Sequence, residues 1–160
     1  MTPLEYVQQR KIVAIVRGLA PEYLVRLGHA FEEGGIGLME VTYNQRDPAS
    51  WKDTANAIEA VGKEFGDRLL VGAGTVIRPE QVSLTYNAGG RYLVTPTTQP
   101  EIIHMGKALG LGLFPGAFTA SAPALKASRI SEGEKAPGYR PRPSALPIRM
   151  ISGWVEGVTR

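Results

Sequence analysis

The chain has 160 residues, 43% hydrophobic and 21% charged, an ordinary balance for one globular domain large enough to bury a substantial core. It has no cysteine, which excludes disulfides, thiolate metal sites and a cysteine nucleophile and fits a cytoplasmic protein; no apolar run reaches the length of a membrane span, and no secretory signal pattern opens the sequence. The net charge of +3 is uneven, with seven Lys/Arg against three Asp/Glu over residues 123–160, but Tyr139 and Trp154 are the only aromatics there and no motif accompanies them, so nucleic-acid binding is not expected.

In chain order, "TPLE" at 2–5 reads as a capped helix start, with Thr2 as cap, Pro3 in the first turn and Glu5 completing a capping box. A short helix to about Arg10 follows. "KIVAIVRG" at 11–18 is a β-branched apolar run ending in Arg17 and a glycine, and predicts the first strand. The next segment places Leu24, Leu27 and Phe31 at helical spacing and stops at Gly34–Gly35. "IGLMEVTYN" predicts the second strand. Residues 51–65 form a helix with Trp51, Ala55, Ile58, Val61 and Phe65 on roughly one face. "RLLVGAGTV" predicts strand three, "RPEQVSLTYNAGG" a helix and "RYLVTP" strand four. "TQPE" at 98–101 offers a second capping box before a helix through Leu109. "GLGLFPGAFT" predicts strand five.

Such strands, apolar on both faces and alternating with amphipathic helices, describe a parallel sheet covered by helices. Five βα steps fit either a doubly wound sheet or a (β/α)8 barrel. In both folds, sites form at the C-terminal strand ends. Here those ends carry Arg17, Glu40–Thr42, Gly74–Thr75, Thr95–Pro96 and Pro115–Thr119. No G-x-G-x-x-G opens a helix, so a dinucleotide is not expected. After about residue 120 the periodicity fails. Prolines at 123, 137, 141 and 143 break any long helix or central strand, and the segment reads as loop or partial disorder. "LPIRMISGWV" at 146–155 offers one more strand. The expected organisation is therefore a barrel-type domain over 1–120 and an irregular basic tail over 121–160.

His29 and His104 fall on helices without a second ligand at useful spacing, so a metal site is not expected. Glu40 interrupts an apolar strand. It reads equally as an ion-pair partner of Arg17 and as a general acid/base tuned by burial, and the two are compatible. "VGAGTV" reads either as a tight βα turn or as a place where backbone N–H groups and the Thr75 hydroxyl approach an anion. "TPTT" and "FPGAFT" repeat that pattern.

Residues 11–120 resemble the bacterial 2-keto-3-deoxy-6-phosphogluconate aldolase family, also called 4-hydroxy-2-oxoglutarate aldolase. The stretches "KIVAIVRG", "GGIGLMEVTYN", "LLVGAGTV", "RYLVTPTT" and "LFPGAFT" carry the resemblance in the family's order and spacing. It implies an incomplete (β/α)8-type barrel, with about five clear βα units, and a metal-free, cofactor-free Schiff-base lyase. The implied reaction cleaves a small-molecule 2-keto acid to pyruvate and an aldehyde, and the implied assembly is a homotrimer. By the same resemblance Glu40 shuttles protons, Arg17 positions it, Thr75 holds the pyruvyl carboxylate and Pro96 lines the pocket.

The chain departs from the family pattern in several places. Asn44 stands where many members have arginine. The family's Schiff-base lysine, in a strand pattern like V-K-x-F-P, has no counterpart, leaving Lys126 and Lys135 in loop-like sequence as the nearest amines. "LPIRMISGWV" resembles the seventh strand with "SGW" for the phosphate turn, and an eighth strand is missing. The chain thus reads as truncated or altered after about residue 120, with weak or absent cleavage expected. The alternative readings are a non-catalytic fragment or a small α/β binding domain.

Overall fold

The structure is a computed structural model that describes residues 3–116 in full and the backbone of 149–152. Six parallel strands, β1 (Ile12–Val16), β2 (Leu38–Thr42), β3 (Leu70–Gly74), β4 (Tyr92–Thr95), β5 (Gly112–Pro115) and β6 (Arg149–Ser152), form one sheet in the order β5-β4-β3-β2-β1-β6. Five helices accompany them: α1 (Pro3–Arg10), α2 (Pro21–Glu33), α3 (Trp51–Phe65), α4 (Pro79–Asn87) and α5 (Pro100–Ala108). Each of the first five strands lies beside its sequence neighbour, while β6 returns to pair with β1, Ile12 opposite Arg149. This is the arc of a (β/α)8-type barrel, incomplete among the described residues, with β5 and β6 at its edges. The strand expected within 146–155 is β6. Expectations for Thr2 and for 117–148 fall outside the described residues.

The two faces of the sheet carry separate cores. The outer face sets Val16, Met39, Val41, Tyr43, Val71, Ala73 and Leu93 against Leu24, Ile58, Phe65, Val82 and Ile102 of the covering helices. Each fully buried aliphatic of this kind contributes roughly 1.5–3 kcal/mol. The inner face joins Val13, Leu38, Leu70 and Tyr92 to Tyr6 and Val7 of α1. Helix α1 therefore closes the N-terminal end of the arc. Its Tyr6 hydroxyl donates to Arg68 O at 3.2 Å, and its ring fills the space a Cβ on Gly37 would need. With that end blocked by a helix, the C-terminal strand ends remain as the open mouth.

One expected cap does not form. Helix α5 begins at Pro100, and no side chain caps it. The Thr98 hydroxyl instead donates to Gly116 O at 3.1 Å, tying the β4–α5 loop to the end of β5. The residue at the cap position is Gln99, one place after the expected Thr98.

Candidate active site

Strand alternation decides which way each side chain of β2 points. Met39, Val41 and Tyr43 belong to the outer core and Leu38 to the inner one, so Glu40 and Thr42 share the inner face with Leu38. Glu40 is only 4% exposed. In register it lies between Ile15 of β1 and Gly72 of β3. Its carboxyl occupies space left by a missing side chain: a Cβ on Gly74 would overlap the Glu40 carboxyl oxygen. Gly72 gives the same room to the Tyr92 ring, 2.5 Å from where a Cβ would stand. Two glycines on the inner face of β3 thus admit one side chain from each neighbouring strand.

The contacts of that carboxyl are few. Thr42 Oγ1 donates to Glu40 Oε1 across a long 3.5 Å. Glu40 Oε2 is buried and has no hydrogen-bond partner among the described residues. Burial pushes the carboxyl from 4.5 up to about 7, against the opposing effects of the Thr42 hydroxyl and the Arg17 charge. Arg17 is exposed just beyond β1. Among the described residues the ion pairs are His29–Glu64, Lys63–Glu59, Arg68–Glu32 and Arg91–Asp67, and none joins Arg17 to Glu40. Glu40 is thus a buried carboxyl without a salt-bridge partner among the described residues, drawn partly toward its charged form by Arg17.

Thr75 follows β3 with φ +55 and is half-buried. A β-branched residue in the left-handed region costs about 1–3 kcal/mol. Lys11 is the other such non-glycine residue among those described, and it lies in an exposed turn. The Thr75 peptide is held on several sides: Tyr43 N–H donates to Gly74 O at 3.0 Å, Val76 N–H to Val94 O at 3.1 Å, and Gln45 Nε2 to Thr75 O at 2.6 Å. Pro96 is exposed at the end of β4, where the carbonyl of Pro96 comes within 2.5 Å of a notional Gly116 Cβ. Asn44 forms a local turn, its Oδ1 accepting from Arg46 N–H at 3.1 Å. A cavity of about 500 Å³ opens at this end of the strands. Arg17, Thr42, Asn44, Asp53 and Thr54 line it; Glu40 does not.

Tyr92 has no place in the sequence reading of the site. Its hydroxyl is buried without a partner among the described residues, and its ring meets Phe114 edge-on at 5.5 Å. Burial raises the phenol well above its ordinary range, and the nearby Glu40 charge raises it further. The glycine at every second position of β3 was a readable signal of close approach; nothing local marked the phenol. His29 and His104 are exposed on α2 and α5. No group of three His, Asp or Glu among the described residues could hold a metal, and no described helix is long and apolar enough to cross a membrane. Lys126 and Lys135 lie outside the described residues.

The family model and the curated relatives point to one family. The family model "KDPG and KHG aldolase" matches residues 4–128. A probable 2-dehydro-3-deoxy-6-phosphogalactonate aldolase of Rhizobium meliloti is 32% identical over 127 residues, covering 79% of this chain and 57% of that protein. The Escherichia coli K12 2-dehydro-3-deoxy-6-phosphogalactonate aldolase is 32% identical over 110 residues, covering 69% and 51%. Among solved structures, the KDPG aldolase from Legionella pneumophila with pyruvate captured as a covalent carbinolamine superposes with a TM-score of 0.66 at 27% identity. That match covers 82% of this chain and 60% of the other. The chain thus spans about half the length of the curated relatives it matches.

Proposed function

The chain belongs to the KDPG and KHG aldolase family, and from that premise we propose a carbon–carbon lyase acting on a 4-hydroxy-2-keto acid. The reaction is a retro-aldol cleavage. A lysine amine adds to the 2-keto carbon and loses water to give an iminium. The C3–C4 bond then breaks, its electrons pass into the iminium, and the C4 hydroxyl gives up its proton as an aldehyde leaves. Protonation of the resulting enamine at C3, followed by hydrolysis, releases pyruvate and the amine.

The observation that carries this reading is Glu40. A carboxyl with a pKa near 7, one oxygen unpartnered and the other held only by a long contact, can both accept and donate a proton at neutral pH. Thr75, held in the left-handed region, supplies a hydroxyl for the substrate carboxylate; such strain is retained where a function needs the side chain. Arg17 biases Glu40 toward its charged form, and, by the family resemblance, Pro96 borders the keto-acid site from the end of β4 rather than the cavity lined by Arg17 and Asn44.

The cleavage is impaired in this chain. Every lysine among the described residues (Lys11, Lys52, Lys63 and Lys107) is exposed, and none lies in a strand. The amine has to come from Lys126 or Lys135. The proline-rich, loop-like sequence around these two residues offers no apolar strand to activate an amine, and loss of a covalent catalyst lowers turnover by roughly several orders of magnitude. This favours a second reading, a pocket that binds the keto acid without turning it over. The remaining parts of the proposal follow the family and the composition: a barrel domain over 1–120 with a basic tail beyond it, a homotrimer, and, from the lack of cysteine, a cytoplasmic location.

Borohydride trapping with pyruvate, followed by peptide mapping, tests the proposal. The expected result is measurable pyruvate binding with only a trace adduct, on Lys126 or Lys135. Stoichiometric trapping would overturn the impairment. Absence of any pyruvate binding would overturn the assignment itself.

A further inference from the structure

The turn after β3 is braced by two side-chain amides that play no part in the chemistry above. Gln81 of α4 is fully buried, an uncommon place for a glutamine. Its Oε1 accepts from the N–H groups of Ile77 at 2.9 Å and Arg78 at 3.1 Å. Its Nε2 donates to Gln45 Oε1 at 3.0 Å, and Gln45 Nε2 donates to Thr75 O at 2.6 Å. The backbone of Gln81 is anchored as well: its carbonyl accepts from the Tyr43 hydroxyl at 3.3 Å and from Thr85 Oγ1 at 2.7 Å. The start of α4 is thereby fixed to the residues that follow β2.

This chain of bonds has one sense only. Backbone N–H groups cannot accept, so Gln81 must turn its oxygen toward Ile77 and Arg78 and its nitrogen toward Gln45. Gln45 must then present oxygen to Gln81 and nitrogen to Thr75. The carbonyl of Thr75 receives a donor because the start of α4 has two N–H groups to satisfy. Hydrogen bonds in a buried series of this kind polarise and orient one another.

We propose that Gln45 and Gln81 are positioning residues: their amide relay holds Thr75 in its left-handed conformation and so sets the direction of the groups that meet the substrate carboxylate. The role given to Thr75 rests on the reading under Proposed function; the relay itself does not. Gln45→Glu keeps the size of the side chain but turns the only donor to Thr75 O among the described residues into an acceptor. Gln81→Glu still serves Ile77 and Arg78, yet it forces Gln45 to face Thr75 O with oxygen. Both changes reverse the relay at the same carbonyl.

The test uses the full chain and two readouts. The 13Cα and 13Cβ shifts of Thr75, without ligand, report its backbone conformation; titration with pyruvate reports the site. In Gln45→Glu, Thr75 is expected to lose its left-handed shifts and pyruvate binding to weaken about tenfold, the size of one lost orienting hydrogen bond. The titration of Glu40 stays near 7, which a general loosening of the fold would not allow. A Gln45→Glu protein that keeps either the Thr75 shifts or the wild-type pyruvate affinity overturns the proposal. If that variant folds poorly, Gln45→Ala, which removes the donor without adding charge, is read in the same way. A wild-type chain that takes up no pyruvate overturns the carboxylate role of Thr75, and the ligand-free shifts then decide the relay alone.

Discussion

At neutral pH the Glu40 carboxyl stands at the midpoint of its titration, because burial on the inner face lifts it from 4.5 to about 7. The folded chain therefore holds this proton more tightly than the unfolded chain does. Its contribution to stability is fully present below pH 4.5, falls as the pH rises, and is gone above about pH 7. Glu40→Gln removes the dependence. Chemical denaturation between pH 4 and 8 should show stability falling in the wild type, by on the order of 3 kcal/mol, and a nearly flat profile in the variant. At pH 8 the variant should be the more stable protein, although it has lost its acid/base group, as expected where a site is built at the expense of stability. Gly74→Ala acts on the same carboxyl from below. The new methyl would occupy its space, at a cost of about 1–3 kcal/mol. It would also drive Glu40 toward water. A 13C titration should then find the Glu40 pKa shifted from about 7 back toward 4.5.

Among the elements, α1 separates stability from function most cleanly. Tyr6 is 8% exposed, bonds to Arg68 O and fills the space over Gly37, all at the end of the sheet opposite Glu40 and Thr75. Tyr6→Ala should lower stability by about 3 kcal/mol in urea denaturation and leave pyruvate affinity unchanged. The strands and helices were legible because β-branched runs and helical spacing persist along the chain; α3 occupies the expected 51–65. The faces of the strands were harder to read. Strands buried on both sides carry no polar alternation, and in β2 only Glu40 and Thr42 mark the inner face. Of the candidate site, the positions of Arg17, Thr75 and Pro96 just past their strands were readable from where each run stops; Glu40, expected at the mouth of its strand, is instead the middle residue of β2. The relay between Gln45 and Gln81 was not. It joins residues 36 apart in sequence, and no local pattern records such a pairing. The contact of Thr98 was hidden for a related reason, since its acceptor, Gly116 O just past β5, is 18 residues away in sequence.

For the whole molecule, the decisive pairing is between β1 and β6, which gives β1 a neighbour on both sides. Without β6, β1 would be an exposed edge of a parallel sheet, a template for association with other chains. Successive N–H groups in a strand point to opposite sides, so the double change Met150→Pro and Ile151→Pro must remove at least one donor facing β1. Light scattering during refolding should rise sharply in that variant and stay low in the wild type. The same pairing dictates a sequence of events during synthesis. Strands β2 to β5 can each settle against the neighbour made just before them. The second edge of β1 must wait until Arg149 has been made to meet Ile12, the longest loop that the sheet closes and, by its entropy, the slowest. During synthesis β1 precedes the other described strands and yet waits for its second neighbour until β6 is made, so nascent chains stay adhesive along that edge until then.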